Sequence, residues 1–162
     1  MLDTALTALA QSPPAEAIKA SYYAYPLVNA AHILGLATLF GAILALDLRL
    51  LGLFPTVPAQ GLARMLPRIA ATGLLIALPT GVLLFSVEPF DYAGNRAFLA
   101  KLAIVALGVV HAVWVHFTPG WKALVRRGGA IGAPLKLSAA LSLTLWSSAI
   151  LAGRMIAFWG EA

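Results

Sequence analysis

The 162-residue chain contains no cysteine, and this absence excludes several kinds of site. Disulfides, iron–sulfur clusters and thiolate metal sites all require cysteine sulfur. A metal or cofactor would therefore be held by the three histidines, the three methionines or the six acidic side chains. The sequence also shows no phosphate-binding glycine loop, no Gly-x-Ser-x-Gly turn and no paired carboxylates, so hydrolases and nucleotide-dependent enzymes have no support.

Charged side chains are scarce as well. They make up 10% of the chain, against roughly a quarter of a soluble domain. Hydrophobic residues make up 61%, and the mean hydropathy is +0.90, which indicates the lipid bilayer as the surrounding solvent. The net charge of +5 comes from basic residues in short loops beside apolar segments. That pattern orients membrane proteins, so we expect no nucleic-acid partner.

Four apolar segments reach the length of about 20 residues that a helix needs to cross the hydrocarbon core. They cover residues 25–54, 66–87, 97–117 and 134–159. The sequence therefore predicts an all-α integral membrane four-helix bundle, with residues 25–162 as a single transmembrane domain.

Basic residues predict the orientation of this bundle. The first and third loops between spans, together with Arg49, carry seven of the eleven basic residues. Because loops rich in lysine and arginine stay in the cytoplasm, we predict that both termini lie outside. In a bacterial inner membrane, both termini would be periplasmic.

The segment 1–24 lacks the basic start and the continuous apolar core of a signal peptide. Apolar residues recur at helical spacing from Leu2 to Leu9, and Ser12 followed by Pro13 is typical of a second helix start. We predict two short amphipathic helices on the outer membrane surface.

Two histidines, His32 and His111, lie inside spans one and three, where an ionisable residue needs a partner or a function. Gly35 follows His32 by three residues, and Gly108 precedes His111 by three, so each histidine has a vacant patch one turn away on its own helix face. A flat macrocycle would need such missing side chains beside it. The pattern predicts haem ligation by these histidines; the alternative is a hydrogen bond within the bundle.

The depth of the two histidines leaves the ligand set open. Their levels differ by about 8–13 Å along the membrane normal at the helical rise per residue. Helix tilt can absorb part of this difference. Otherwise one histidine ligates alone, or together with Met155 in the outer half of span four, since His/Met is an established haem arrangement.

Cations near the outer surface extend the predicted cofactor site. Lys101 and Arg154 lie a few residues inside the outer ends of spans three and four, and Arg96 lies in the preceding loop. We expect them to hold carboxylates such as haem propionates, with snorkelling to the interface as the alternative.

Asp47 lies near the inner end of span one. Residues two apart on a helix do not face each other, so Arg49 is not its partner. The sequence predicts a structural salt bridge from Asp47 to Arg68 or Lys136, in preference to a proton or ion path.

Three stretches carry a family resemblance: HILGLATLFGAILALDLRLLG, FLAKLAIVALGVVHAVWVH and AGRMIAF. They resemble small four-span bacterial membrane proteins of unknown function, which are distantly similar to copper-resistance D-type membrane domains and to HemJ-type haem-binding membrane proteins. In the HemJ type, an early-span histidine and a later lysine are associated with b-type haem. The resemblance thus implies haem b at the positions of His32 and Lys101.

These observations lead to one functional hypothesis and two alternatives. The hypothesis is a b-type haem protein that transfers electrons, as a subunit or partner of a membrane redox system rather than a stand-alone enzyme. Its partners would be a quinone or a periplasmic redox protein, and we expect a homo- or hetero-oligomer. The first alternative is a protein that handles copper or another metal through His32, His111 and Met155. The second is a structural or anchoring subunit of a larger complex, without a cofactor.

Overall fold

The computed structural model describes residues 1–159, and all of the secondary structure in that range is α-helical. The helices are α1 (Leu2–Ala10), α2 (Pro13–Ala20), α3 (Ala24–Leu51), α4 (Ala59–Val87), α5 (Pro89–Gly94), α6 (Arg96–Phe117), α7 (Pro119–Arg127) and α8 (Ala133–Trp159). Four of them, α3, α4, α6 and α8, are long and apolar enough to cross a membrane. The predicted all-α architecture with four candidate spans is confirmed, and the location of the termini stays a prediction.

Helix α4 begins at Ala59 rather than at residue 66, where the apolar stretch starts. Pro58 takes the position before the first turn. Ala59, Ala63 and Leu66 then recur at helical spacing and are buried, so this extra part of α4 has a packed face even though its other side is polar. A search for continuous apolar residues misses such a segment.

Two predicted loops contain short helices. Helix α5 lies between α4 and α6, and α7 lies between α6 and α8. The start of α7 is fixed by Thr118, whose hydroxyl accepts a hydrogen bond from the Trp121 amide, and by Pro119 in the first turn. It ends at Gly128, which has a left-handed φ of 65°.

The two short helices predicted within residues 1–24 are present as α1 and α2. Their apolar faces bury Leu6, Ala15 and Ile18, and both pack against α4. Their position on a membrane surface stays a prediction.

The four long helices pack as a row in the order α4, α3, α8, α6. Helix α3 packs along both α4 and α8, and α8 packs along α6. Contact between α4 and α6 is at most marginal in the described part of the chain. The bundle is therefore open on the side between α4 and α6, and α7 crosses one end of that opening through contacts with α4, α6 and α8.

Candidate functional site

His32 points from α3 towards α4. Its Nδ1 lies 2.9 Å from the carbonyl oxygen of Ala77 and 3.1 Å from the Thr80 hydroxyl. Because a carbonyl oxygen can only accept a hydrogen bond, Nδ1 donates, and in the neutral ring Nε2 carries the free lone pair. Histidines that ligate metals are commonly oriented in this way, through a hydrogen bond from the other ring nitrogen to a backbone carbonyl.

The His32 ring is also tightly packed on its α4 side. A Cβ atom placed on Gly81 would lie 3.1 Å from Cε1 of the imidazole, which is closer than ordinary van der Waals contact. Thr80 in turn donates its hydroxyl hydrogen to backbone carbonyls of its own helix, with Oγ1 2.6 Å from the oxygen of Ile76. The orientation of His32 is therefore set by one turn of α4.

Lys101 is the predicted cofactor residue whose charge acts on His32. It belongs to α6, is partly buried, and is close enough to the imidazole for its charge to act on it. The Lys101 side chain runs past Gly153 of α8, where an added Cβ would lie 3.5 Å from Cδ. His32 and Lys101 thus lie within electrostatic reach of each other.

The other predicted cations have different surroundings. Arg96 is the exposed first residue of α6. Arg154 is exposed, and its guanidinium lies over the Phe158 ring, 5.0 Å from the ring centre. Met155 is half-buried on α8. Their role beside a cofactor stays a prediction.

The two glycines do not border open space, in contrast to the expectation from the sequence. A Cβ on Gly35 would lie 2.9 Å from backbone atoms of Gly73 and Ala77, so α4 fills this patch. A Cβ on Gly108 would lie 3.1 Å from the indole of Trp146, so α8 fills the second. Both glycines allow close helix packing, and the sequence could not distinguish this from space left for a macrocycle.

His111 lies at a different level from His32. Its Nε2 is 3.1 Å from the Ser138 hydroxyl of α8. Lys101, the neighbour of His32, precedes His111 by ten residues on α6, which corresponds to about 15 Å along the helix. His32 thus bonds to α4 and His111 to α8, and their ligation of one haem stays a prediction.

The opening between α4 and α6 forms a cleft of about 460 Å³ in the half of the bundle next to α7, and we call it the α4–α6 cleft. Its walls are largely aliphatic and aromatic side chains of α3, α4, α6 and α8, and Trp121 of α7 lines its end. The polar side chains that line it are Asp47, His111, His116, Ser138 and Ser142. The volume falls within the roughly 300–1,000 Å³ typical of small-molecule sites.

Asp47 lies in this cleft without the predicted ion pair. It is only 5% exposed, and among the described residues its Oδ2 atom is buried without a hydrogen-bond partner. The Ser142 hydroxyl is within reach of the carboxylate. Arg49 instead donates to the backbone carbonyls of Val57 and Pro55 in the following loop. The salt bridge to Arg68 or Lys136 is therefore not formed, because Asp47 faces the helix row rather than the basic loops.

Within residues 1–159, no cluster of three or more histidine and acidic side chains has the arrangement of a metal site. The copper alternative consequently gains no support from the geometry. Comparison of the chain with protein-family models, with curated proteins and with solved structures finds no match, so the geometry alone carries the functional argument.

Proposed function

We propose that the protein is a b-type haem protein of the bacterial inner membrane that transfers electrons, with His32 as an axial ligand. The observation that supports this most is the hydrogen bond of His32 Nδ1 to the Ala77 carbonyl, which leaves Nε2 as the ligating atom. When bound, haem would supply one-electron redox chemistry between the ferric and ferrous states.

The residues around His32 fit such a group in two respects. Lys101 is partly buried beside the imidazole and can neutralise a propionate. Haem is flat and mostly apolar, and contact between α4 and α6 is at most marginal in the described part of the chain, so a haem could enter between these helices from the bilayer. Because neighbouring helices fill the patches at Gly35 and Gly108, these two glycines do not form part of the proposed haem site.

The role of this chain's own side chains is to orient the His32 imidazole and to exclude water from the site. Thr80 and the Ala77 carbonyl hold the imidazole in one tautomer, and Gly81 keeps the ring in contact with α4. A low-dielectric surrounding strengthens the effect of the Lys101 charge on whatever carboxylate lies beside it. We propose that His32 ligates the haem iron alone or together with Met155. His111 has a separate role.

The test is the visible spectrum of the purified protein in detergent, after expression with haem supplied, in the oxidised and dithionite-reduced states. A Soret band and a sharp reduced α-band are expected. The His32→Ala variant should lose them, and external imidazole should restore them in part. His116→Ala is the matched control, since His116 is an exposed histidine bonded to its own helix at the Ala112 carbonyl.

Two outcomes would overturn the proposal. A folded but colourless wild-type protein contradicts haem binding itself. Unchanged bands in His32→Ala, or a loss of bands confined to His111→Ala, contradict the ligand assignment. A His116→Ala variant that loses haem as strongly as His32→Ala would contradict it too.

A further inference from the structure

The α4–α6 cleft is a second site, separate from His32, and its shape indicates access from the lipid. It is enclosed by α3 and α8 at its base, and by α4 and α6 at its sides. Since α4 and α6 make at most marginal contact in the described residues, the cleft opens between these two helices, and in a bilayer this opening would face the hydrocarbon core. A molecule that enters it therefore comes from the membrane phase.

Asp47 is the feature that the packing of the bundle does not explain. A 95%-buried carboxylate is costly unless its oxygens accept hydrogen bonds, and in the described part of the chain Oδ2 has no donor. Asp47 is part of the cleft lining, so a bound molecule can supply the missing partner. The base of the cleft thus requires a ligand with a hydrogen-bonding group at its inner end.

A second polar position lies across the cleft. His111 of α6 and Ser138 of α8 form a hydrogen-bonded pair of 3.1 Å that lines the cleft. The rest of the lining is largely apolar and includes the buried indole of Trp146 and the methyl group of Ala139. The cleft therefore presents two polar positions, Asp47 of α3 and the pair on α6 and α8, within largely apolar walls.

These features together point to one class of ligand. A phenolic hydroxyl can donate to an ionised carboxylate and accept from a protonated one, so it satisfies Asp47 in either state. A ring with two such hydroxyls can bond to both polar positions, while its faces contact the apolar walls of the cleft. An alkylammonium head would satisfy only the ionised carboxylate and would leave the His111–Ser138 pair unused.

We propose that the α4–α6 cleft binds the head of a hydroquinone lipid, with one hydroxyl donating to Asp47 and the other hydroxyl at the His111–Ser138 pair. The apolar tail of the lipid leaves through the opening between α4 and α6. This inference stands on the cleft alone and does not depend on haem at His32.

The test uses full-length protein in lipid nanodiscs and a decyl-substituted benzohydroquinone kept reduced by dithionite. Binding is measured by isothermal titration calorimetry, with decylbenzene and decylammonium as comparison ligands. We expect saturable binding of the hydroquinone and at least tenfold weaker binding of both comparison ligands. Equal binding of decylbenzene would show a merely apolar cleft, and preferred binding of decylammonium would show a cation site; either result overturns the proposal.

Two variants locate the site. Asp47→Leu should raise the Kd for the hydroquinone at least tenfold, whereas the charge-matched control Asp91→Asn, at an exposed position on α5, should change it less than twofold. Ala112→Phe keeps Asp47 but fills the cleft from α6, and should also abolish binding. Unchanged affinity in either cleft variant, with the helical circular dichroism of the wild type, would refute the site. The haem spectrum is not part of these readouts, so this proposal and the haem proposal fail separately.

Discussion

Among the glycines of the described residues, Gly73 is the one where an added methyl group would meet the closest neighbours. A Cβ there would lie 2.5 Å from the Leu39 nitrogen and 2.6 Å from the Gly35 oxygen, and both are backbone atoms that cannot rotate away. Ordinary contact begins at 3.4 Å, so α3 and α4 must separate by nearly an ångström in Gly73→Ala. Overpacking of this kind costs about 1–3 kcal/mol. Where the two helices move apart by this distance, each dispersion contact between them loses about a quarter to a half of its attraction.

Helix propensity acts in the opposite direction. Alanine is favoured over glycine by about 1 kcal/mol in a helix interior, so the net loss in Gly73→Ala should be about 0–2 kcal/mol. Gly41→Ala is the control, because Gly41 lies within α3 and a Cβ there meets nothing within 4 Å. We expect the control to be neutral or slightly more stable than the wild type.

The assay is reversible unfolding in mixed micelles with increasing dodecyl sulfate, followed by far-ultraviolet circular dichroism. The propensity gain is the same in both variants, so they should differ by about 1–3 kcal/mol in the free energy of unfolding, with Gly73→Ala the less stable. Equal stability of the two variants would refute the close approach of α3 and α4 and, with it, the explanation of Gly35 as a packing residue.

Four further predictions follow from single side chains. Asn95→Ala should lower the free energy of unfolding by about 1–2 kcal/mol, because Asn95 caps α6 through hydrogen bonds of 2.9 and 3.2 Å to two backbone amides; thermal melts in detergent test this. Asp47→Leu should raise the free energy of unfolding of the ligand-free protein by about 1–3 kcal/mol, because it removes a buried oxygen atom without a hydrogen-bond partner. If Asp47 instead formed an ion pair, the same thermal melts would show a lower free energy of unfolding for the variant. Thr80→Val should shift the haem reduction potential in a redox titration without loss of haem, and an unchanged potential would exclude Thr80 from the orientation of His32. Burial, with Tyr25 as a smaller cause, raises the pKa of the Tyr92 hydroxyl in the folded protein. The unfolded chain therefore loses this proton at lower pH, and the free energy of unfolding should fall above about pH 10. If the free energy of unfolding of Tyr92→Phe had the same dependence on alkaline pH as that of the wild type, the prediction would be contradicted.

The length of the apolar segments and the residues that mark helix ends made most of the fold predictable. The four spans follow from hydrophobic stretches that exceed the thickness of the bilayer, and α2 begins after Ser12 with Pro13 in its first turn, as the sequence indicates. Helix α7 was missed although Thr118 and Gly128 mark its ends, because its charged residues were interpreted only as a topology signal. The early start of α4 was missed because its first turns are packed through alanines rather than large apolar side chains.

The candidate site was less predictable, because it depends on which helices are neighbours. The glycines near His32 and His111 were interpreted as vacant, but whether a partner helix or a cofactor fills the space beside a glycine depends on tertiary packing. The sequence likewise gives no sign that Asp47 faces α8 instead of the basic loops. The depth of a residue in its span, in contrast, can be estimated directly from the helical rise per residue.

The most direct test of the central claim is the reduced-minus-oxidised spectrum of the purified wild-type protein, combined with its haem content by pyridine haemochromogen. The account predicts a b-type α-band and about one haem per chain, lost in His32→Ala and kept in His116→Ala. A folded, monodisperse wild-type protein without a Soret band, purified from cells supplied with haem, would contradict the account.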